Sequence, residues 1–444
     1  MPSRRGFIQL SCASAATLAM RSFGLITAMA GTTAATTGDY KALVCVFLFG
    51  GNDGNNMVVP ANGSAFSSYT SVRGPIALPA SSLLPVAGPS GQEYGLHASL
   101  KELQALYGSD QLALALNVGP LIQPLTKAQY TGNSAPAPAN LFSHADQQRE
   151  WQTSILAGNP TTGWGGRVAD VMSPMNAPAT FPAFVSVAGN TMQGTGAETR
   201  AATVNPGAPL GLQAGSAAIT SGVEQLLTTS GGVTLVQAAA STLSNGQRDA
   251  TTLSAALGGA KALTTPFPKS ILGAQLEQVA NIIAVRNAMG MKRQIFFCAL
   301  GNFDTHAGQL STQSTLLAQL SQGLNAFYQA TEEMGVANQV TAFTESDFGR
   351  TLSPTSNLGS DHAWGNHHIV VGGAVKGGAM YGAFPTLALG GPDDTDTRGR
   401  WIPTTSIDQY GATLASWFGV DAASLPAVFP NLANFPARNI GFLG

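Results

Sequence analysis

Four short apolar runs decide most of what this chain can fold into: ALVCVFLF (Ala42–Phe49), QLALALNV (Gln111–Val118), QIFFCAL (Gln294–Leu300) and QVTAFTE (Gln339–Glu345). Each is too short for a core helix, rich in strand-forming residues, and apolar at successive rather than alternate positions. A strand of that kind is covered on both faces, as in the parallel sheets of α/β proteins. Between and after the runs lie segments with helical spacing: Leu96–Tyr107, Gly163–Met172, residues 236–256 and 271–290, Ser311–Met334 and Ile407–Phe418. The alternation predicts an α/β fold, a three-layer sandwich with a mainly parallel, doubly wound sheet. Ala183–Ala188, Ile369–Val375 and Thr386–Leu389 are further strand candidates, the last at an edge. Residues 61–96 read as loops, and the Gly/Thr/Ala-rich residues 189–235 as an insertion or a lid-like excursion.

Where the runs end, the ionisable residues begin. Only 10% of the chain is charged, yet the first run breaks into GGNDGNN with Asp53 and the third into GNFDTHAGQ with Asp304 and His306. The fourth breaks into SDFGRTLSPTSNLGSDHAWGNHH, which holds Asp347, Arg350, Asp361, His362, His367 and His368. Five of the six histidines fall in these loops or in LFSHADQQREWQ (Leu141–Gln152), which carries His144. Open α/β sheets keep their chemistry on loops at the carboxyl ends of strands. Carboxylate oxygen and imidazole nitrogen are common ligands of divalent metals. The pattern predicts a metal site at one sheet edge, with Asp53, Asp304, His306, Asp347, Asp361, His362 and His367 as candidate ligands.

Several of these residues have a plainer reading. Asp53 is equally a ligand or a turn residue, and His97 reads as a helix-end or core histidine. Ser143, three residues before Asp146, has the form of a helix N-cap. Either it only caps, with His144 solvated, or it presents a nucleophilic hydroxyl where a helix N-terminus favours an anion. Arg350 is an anion-binding guanidinium or half of a structural ion pair.

A net charge of −2 provides no footprint for nucleic acid or an anionic membrane. At the N-terminus, Ser3-Arg4-Arg5-Gly6-Phe7-Ile8 resembles the twin-arginine export signal. Leu10–Met29 follows, interrupted by Arg21, and Ala28-Met29-Ala30 fits a cleavage site before Gly31. Residues 1–30 are therefore predicted to be a cleavable signal and 31–444 a single domain, exported folded to the periplasm or beyond. No other run approaches the roughly 20 apolar residues of a spanning helix, so no membrane span is expected in the mature chain. Cys12 lies in the signal, leaving Cys45 and Cys298 in strand-like runs as two buried free thiols or, with adjacent strands, a disulfide.

The segments FLFGGNDGNN, LFSHADQQREWQ, TGWGGR, NFDTHAGQ and SDFGRT…GSDHAWGNHHIVVGG, in that order, resemble the exported bacterial family catalogued as domain of unknown function 1501. The resemblance covers essentially the whole mature chain. That family is similar in strand-and-ligand pattern to the alkaline phosphatase and sulfatase superfamily. It implies an alkaline-phosphatase-like sandwich and metal-dependent hydrolysis of phosphate or sulfate esters, on small molecules or polymers. In that pattern Asp53 matches a ligand of one metal, Ser143 the nucleophile, and Asp304 with His306 the ligands of the other metal. Asp347 matches the next aspartate, but Phe348 stands where the pattern has histidine. The late ligand is His362 or His367; alternatively Asp361-His362 supplies the pair and His367 the late ligand. Arg350 would neutralise developing charge. The missing imidazole makes the set oxygen-richer, which widens the candidate cations from zinc to manganese, magnesium or calcium. No C-x-P-x-R or S-x-P-x-R segment is present, which argues against a standard sulfatase. The competing expectation is a non-catalytic exported protein that keeps the fold and binds a polysaccharide or partner.

Overall fold

The four apolar runs become adjacent or near-adjacent strands of one sheet. The computed structural model describes residues 39–211, 216–227 and 234–444, so the predicted signal lies outside the described residues. Lys41–Gly444 form one compact unit. In chain order the main elements are β1 (Lys41–Leu48), α1 (Lys101–Gly108), β2 (Leu112–Gly119), α2 (His144–Thr153) and α3 (Trp164–Met172). They continue with β3 (Phe184–Ser186), β4 (Ala201–Thr203), α4 (Ile271–Ala284), β5 (Arg293–Leu300), α5 (Gln309–Glu333) and β6 (Val340–Ser346). The chain ends with β7 (Arg350–Pro354), β8 (Ser360–His362), β9 (Asn366–Val371), β10 (Ala379–Tyr381), β11 (Thr405–Ser406) and α6 (Ile407–Phe418).

Among the described residues the sheet has nine strands in the order β10-β2-β9-β6-β1-β5-β3-β4, with β11 also on β2. Every pairing is parallel except those of β9, which runs antiparallel to both β6 and β2. Because β9 is reversed, its first residue and the last residue of β6 lie at the same edge. The loop between them is thereby anchored at the carboxyl edge at both ends.

Both faces of the sheet are covered, as the unbroken apolar runs require. On one face Leu43, Cys45, Phe47 and Phe343 pack in a cluster with Trp151 of α2, Trp164 of α3, and Tyr410 and Phe418 of α6. Val44, Val46 and Cys298 on the other face are also fully buried; α4, α5 and α1 pack with one another there. Cys45 pairs in register with Phe297 and Cys298 with Val46. Residues paired in a parallel ladder share a face, so the two sulfurs point to opposite faces and remain free thiols.

Three expectations are corrected. Residues 61–96 are not loop: they contain a helix, Gly63–Arg73, and two strands, Leu84–Ala87 and Glu93–Leu96, of a small sheet completed by Val58–Pro60. That helix buries only Tyr69 and Arg73, so it shows no apolar period. Thr386–Leu389 is not a strand. Its backbone is diverted by Asp393, whose carboxylate accepts from Thr386 N at 2.8 Å, and the edge is formed by β10 instead. His367 and His368 are not loop residues but lie within β9, both buried.

Candidate metal centre

Asp304 follows β5 and projects from the carboxyl edge with its side chain 44% exposed. Two neighbours fix its backbone. Asn302 adopts a left-handed φ of 74°. Gly50, at φ 109°, passes so close that a β-carbon there would collide with the Asp304 nitrogen. Arg350, whose side chain is fully buried, donates from Nη1 to Asp304 Oδ1 at 3.0 Å and to the Gly50 carbonyl at 2.9 Å. Its Nε and Nη2 are bound to Ser360.

Three imidazoles surround this carboxylate. His306 Nε2 lies 3.0 Å from Asp304 Oδ1 and His362 Nε2 3.2 Å from the same oxygen, while His144 Nε2 is 3.6 Å from Oδ2. The two nitrogens His306 Nε2 and His362 Nε2 stand only 2.9 Å apart. In each ring the other nitrogen is already committed. His362 Nδ1 is 2.8 Å from the Phe142 carbonyl, His306 Nδ1 3.0 Å from Asp361 Oδ1, and His144 Nδ1 2.6 Å from Asp347 Oδ2. A carbonyl or carboxylate oxygen accepts, so each Nδ1 carries a proton, and the three Nε2 atoms are left facing Asp304. His144, Asp304 and His362 offer atoms within 4.8 Å of one another, a group suited to a metal ion. A carboxylate or carbonyl behind each ligating histidine is the usual outer support of a metal centre.

The electrostatics agree with this geometry. Burial raises the Asp304 carboxyl, but Arg350 and the neighbouring histidines outweigh it and hold it below the ordinary carboxylate range. Asp361 is likewise raised by burial and brought lower overall by its bond to Arg398 and by His306. Burial pushes the His362 ring down, the His144 and Arg350 charges act the same way, and its bond to the Phe142 carbonyl opposes them. Neutral imidazole and ionised carboxylate are the protonation states that bind metal.

The predicted residues divide into those at the cluster and those apart from it. Asp304, His306 and His362 meet directly. Asp361 and Asp347 stand one layer behind, each on an imidazole Nδ1; Asp347 also accepts from Gly50 N at 3.1 Å and Gln148 Nε2 at 2.7 Å. Asp53 makes its contacts elsewhere: it is fully buried in an ion pair with Arg73, and accepts from Gln309 Nε2 and, at 3.1 Å, from Asn55 N. His367 is buried apart from the cluster, where Nδ1 accepts from Asn117 N at 3.0 Å and the ring stacks on Phe384. Of the two late histidines, His362 is the one brought to Asp304. Ser143 caps α2, its hydroxyl accepting from Asp146 N at 3.4 Å. His97, read as a helix-end residue, caps a short turn by accepting from Ser99 N at 3.1 Å.

Sequence reasoning missed His144. It is the first residue of α2 and reaches the site because the α2 N-terminus abuts the sheet edge. Phe348, in the position after Asp347, packs its ring on His144 (4.8 Å between centroids) and on His362 (4.6 Å). The imidazole absent beside Asp347 is thus supplied from α2. The available signal was that five of the six histidines fall in the strand-end loops or in LFSHADQQREWQ, His144 among them.

The sequence matches the family described as "Protein of unknown function (DUF1501)" over residues 40–397. The chain belongs to this family. No curated protein matches it. Similar solved structures include Ps i-CgsB in complex with k-i-k-neocarrahexaose, at 9% identity, covering 88% of this chain and 76% of that one, with a TM-score of 0.35. The PsFucS1 sulfatase from Pseudoalteromonas sp. gives 10%, 78%, 65% and 0.32 on the same measures. The C-terminal periplasmic domain of EcEptC from Escherichia coli gives 9%, 75%, 72% and 0.31.

Proposed function

We propose that this protein is an exported hydrolase of phosphate or sulfate esters, dependent on a divalent metal held by His144, Asp304, His306 and His362. The observation that carries it is the convergence of three imidazole Nε2 atoms on one carboxylate, each ring fixed from behind. A set of three nitrogens and one carboxylate favours zinc or a similar transition metal over magnesium or calcium. When bound, such a cation acts as a Lewis acid on an ester oxygen and lowers the pKa of coordinated water.

The chain's own residues have distinct parts in this reading. Asp347, Asp361 and the Phe142 carbonyl hold the three rings in one tautomer and orientation. Arg350 keeps Asp304 ionised and fixed. Arg398, 39% exposed beside Asp361, places positive charge at the rim for an anionic substrate. Ser143, one residue before His144, is assigned the attack. Its oxygen gives up the hydroxyl proton and bonds to phosphorus or sulfur while the ester oxygen leaves and gains a proton; water then attacks the seryl ester, releasing phosphate or sulfate and restoring the Ser143 hydroxyl.

A second reading keeps the metal without turnover, the protein serving as an exported binding protein; Ser143 favours it by serving the helix as a cap. Elemental analysis of purified protein, with zinc-, manganese- and calcium-loaded assays on aryl phosphates, phosphodiesters and aryl sulfates, separates the readings. The hydrolase requires bound metal and turnover, with Ser143→Ala retaining metal and losing turnover. Metal without turnover leaves the binding protein, and protein that takes up none of these cations and turns over none of these substrates overturns the hydrolase. Export belongs to the proposal too. Among the described residues no helix is long and apolar enough to cross a membrane.

A further inference from the structure

We infer that Arg73 occupies the role of a second cation: it neutralises Asp53 from within the chain and pins the β7–β8 hairpin, so the protein takes one metal and Asp53 acts as a positioning residue. The metal count rests on the reading above; the pairing of Asp53 with Arg73 does not.

Asp53 caps the short helical turn Gly54–Met57 after β1, and its side chain and that of Arg73 are both fully buried. The carboxylate is already engaged by three protein donors: Arg73 Nη2, Gln309 Nε2 and Asn55 N. A metal ion there would have to displace a buried guanidinium, and with the guanidinium in place it would meet like charge in a medium of low dielectric. The donor set therefore does not suit a second metal.

The same guanidinium grips the hairpin. Arg73 Nη1 donates to the Thr351 carbonyl at 3.0 Å and Nε to Asn56 Oδ1 at 3.1 Å. Asn55 Nδ2 donates to the Arg350 carbonyl at 2.7 Å. Gln309, which holds Asp53 at one end, accepts from Ser360 Oγ at the other. Both strands of the hairpin are thus tied to Asp53, β7 through Arg73 and Asn55 and β8 through Gln309. The hairpin carries Arg350, Asp361 and His362, three residues at or directly behind the centre. Asp53 acts on that centre at second hand, through where it sets the hairpin.

The test uses the wild type, Asp53→Asn, Arg73→Met and the double variant. Each is loaded with zinc and measured for bound equivalents and zinc affinity, and for urea unfolding after metal removal. The expected result is one equivalent throughout, with each single variant about 10–100-fold weaker in affinity, as for lost outer support. The double variant should be more stable than the sum of the single losses predicts, because it leaves no buried charge unpaired. Two equivalents in the wild type, one of them lost in Asp53→Asn, would overturn the inference. Unchanged affinity with reduced stability would reduce Asp53 to a structural residue and overturn the positioning role. Strictly additive stability losses would overturn the pairing. Absence of zinc from every protein refutes the metal centre itself, and the unfolding measurements still judge the pair.

Discussion

Glu345 offers a test of the fold that does not depend on any metal. It lies in β6, on the face of the sheet that carries Cys45 and Phe47, and is 1% exposed. Its Oε2 accepts from Gln193 Nε2 at 3.2 Å and lies 3.6 Å from the Cys45 sulfur; Trp164 and Tyr410 also face it. Burial pushes this carboxyl from its ordinary 4.5 up to about 8, with the bonds from Cys45, Trp164 and Gln193 only partly opposing. The folded protein therefore holds Glu345 protonated at neutral pH, while the unfolded chain ionises it. Stability from this group is complete below about pH 4.5 and is lost as pH rises through about 8. At about 1.4 kcal/mol per pH unit between the two pKa values, the loss reaches about 5 kcal/mol by pH 8. Glu345→Gln keeps the shape and cannot ionise. Urea unfolding of both proteins at about pH 5, 7 and 8.5 should show the variant gaining on the wild type by about 3–5 kcal/mol across the series. The other buried titrating groups, Glu150 and Asp408 raised and His367 and His368 lowered, are common to both proteins and cancel in the difference. A difference that stays flat with pH would mean that Glu345 is ionised in the fold, and the burial described here would be wrong.

Three further outcomes are expected. His306→Ala should abolish stoichiometric zinc binding measured by elemental analysis, whereas Asp347→Asn, which loosens only the support of His144, should weaken affinity about 10–100-fold; equal effects of the two would refute the layered arrangement. Chelation should lower the melting temperature without unfolding the protein, because the Nδ1 bonds to Phe142, Asp361 and Asp347 persist; an identical melting curve after chelation would argue that no cation sits at Asp304. Replacing Arg4 and Arg5 together by Lys should leave the uncleaved chain in the cytoplasm, seen as a size shift on fractionation, and normal export of that variant would refute the twin-arginine route.

The fold was legible where burial is symmetrical. A strand covered on both faces must be apolar at every position, and such runs stand out in a chain rich in Gly, Ser and Thr. β1, β2, β5 and β6 were each recovered to within a residue or two, and α6 coincides with its predicted span. What stayed hidden lacked that signature. β9 begins Asn366-His367-His368, polar residues that reside in the core by finding specific partners: His367 takes the Asn117 amide, and His368 approaches Thr344 Oγ1 at 3.3 Å beneath the Trp151 ring. The helix at Gly63–Arg73 buries an arginine instead of an apolar stripe, so no periodicity could disclose it.

The site was half legible for a related reason. Type and placement of residues tell which groups reach the carboxyl edge, and Asp304, His306 and His362 do meet there. They do not tell which carboxylate faces an imidazole and which faces a guanidinium. Asp53, Asp347 and Asp361 look alike in sequence, yet one neutralises Arg73 and the other two orient rings. That partition depends on Arg73, which comes from a helix with no pattern, and on His144, which comes from a helix N-cap segment some two hundred residues before the loop it serves. The absence of histidine after Asp347 pointed toward an oxygen-rich centre when read along the chain. In three dimensions His144 of α2 brings an imidazole there instead, with the Phe348 ring packed on His144 and His362 and Asp347 holding His144 from behind. The group gathered at Asp304 therefore holds three imidazoles, one of them brought by a contact between α2 and the β6 loop that no spacing within either segment encodes.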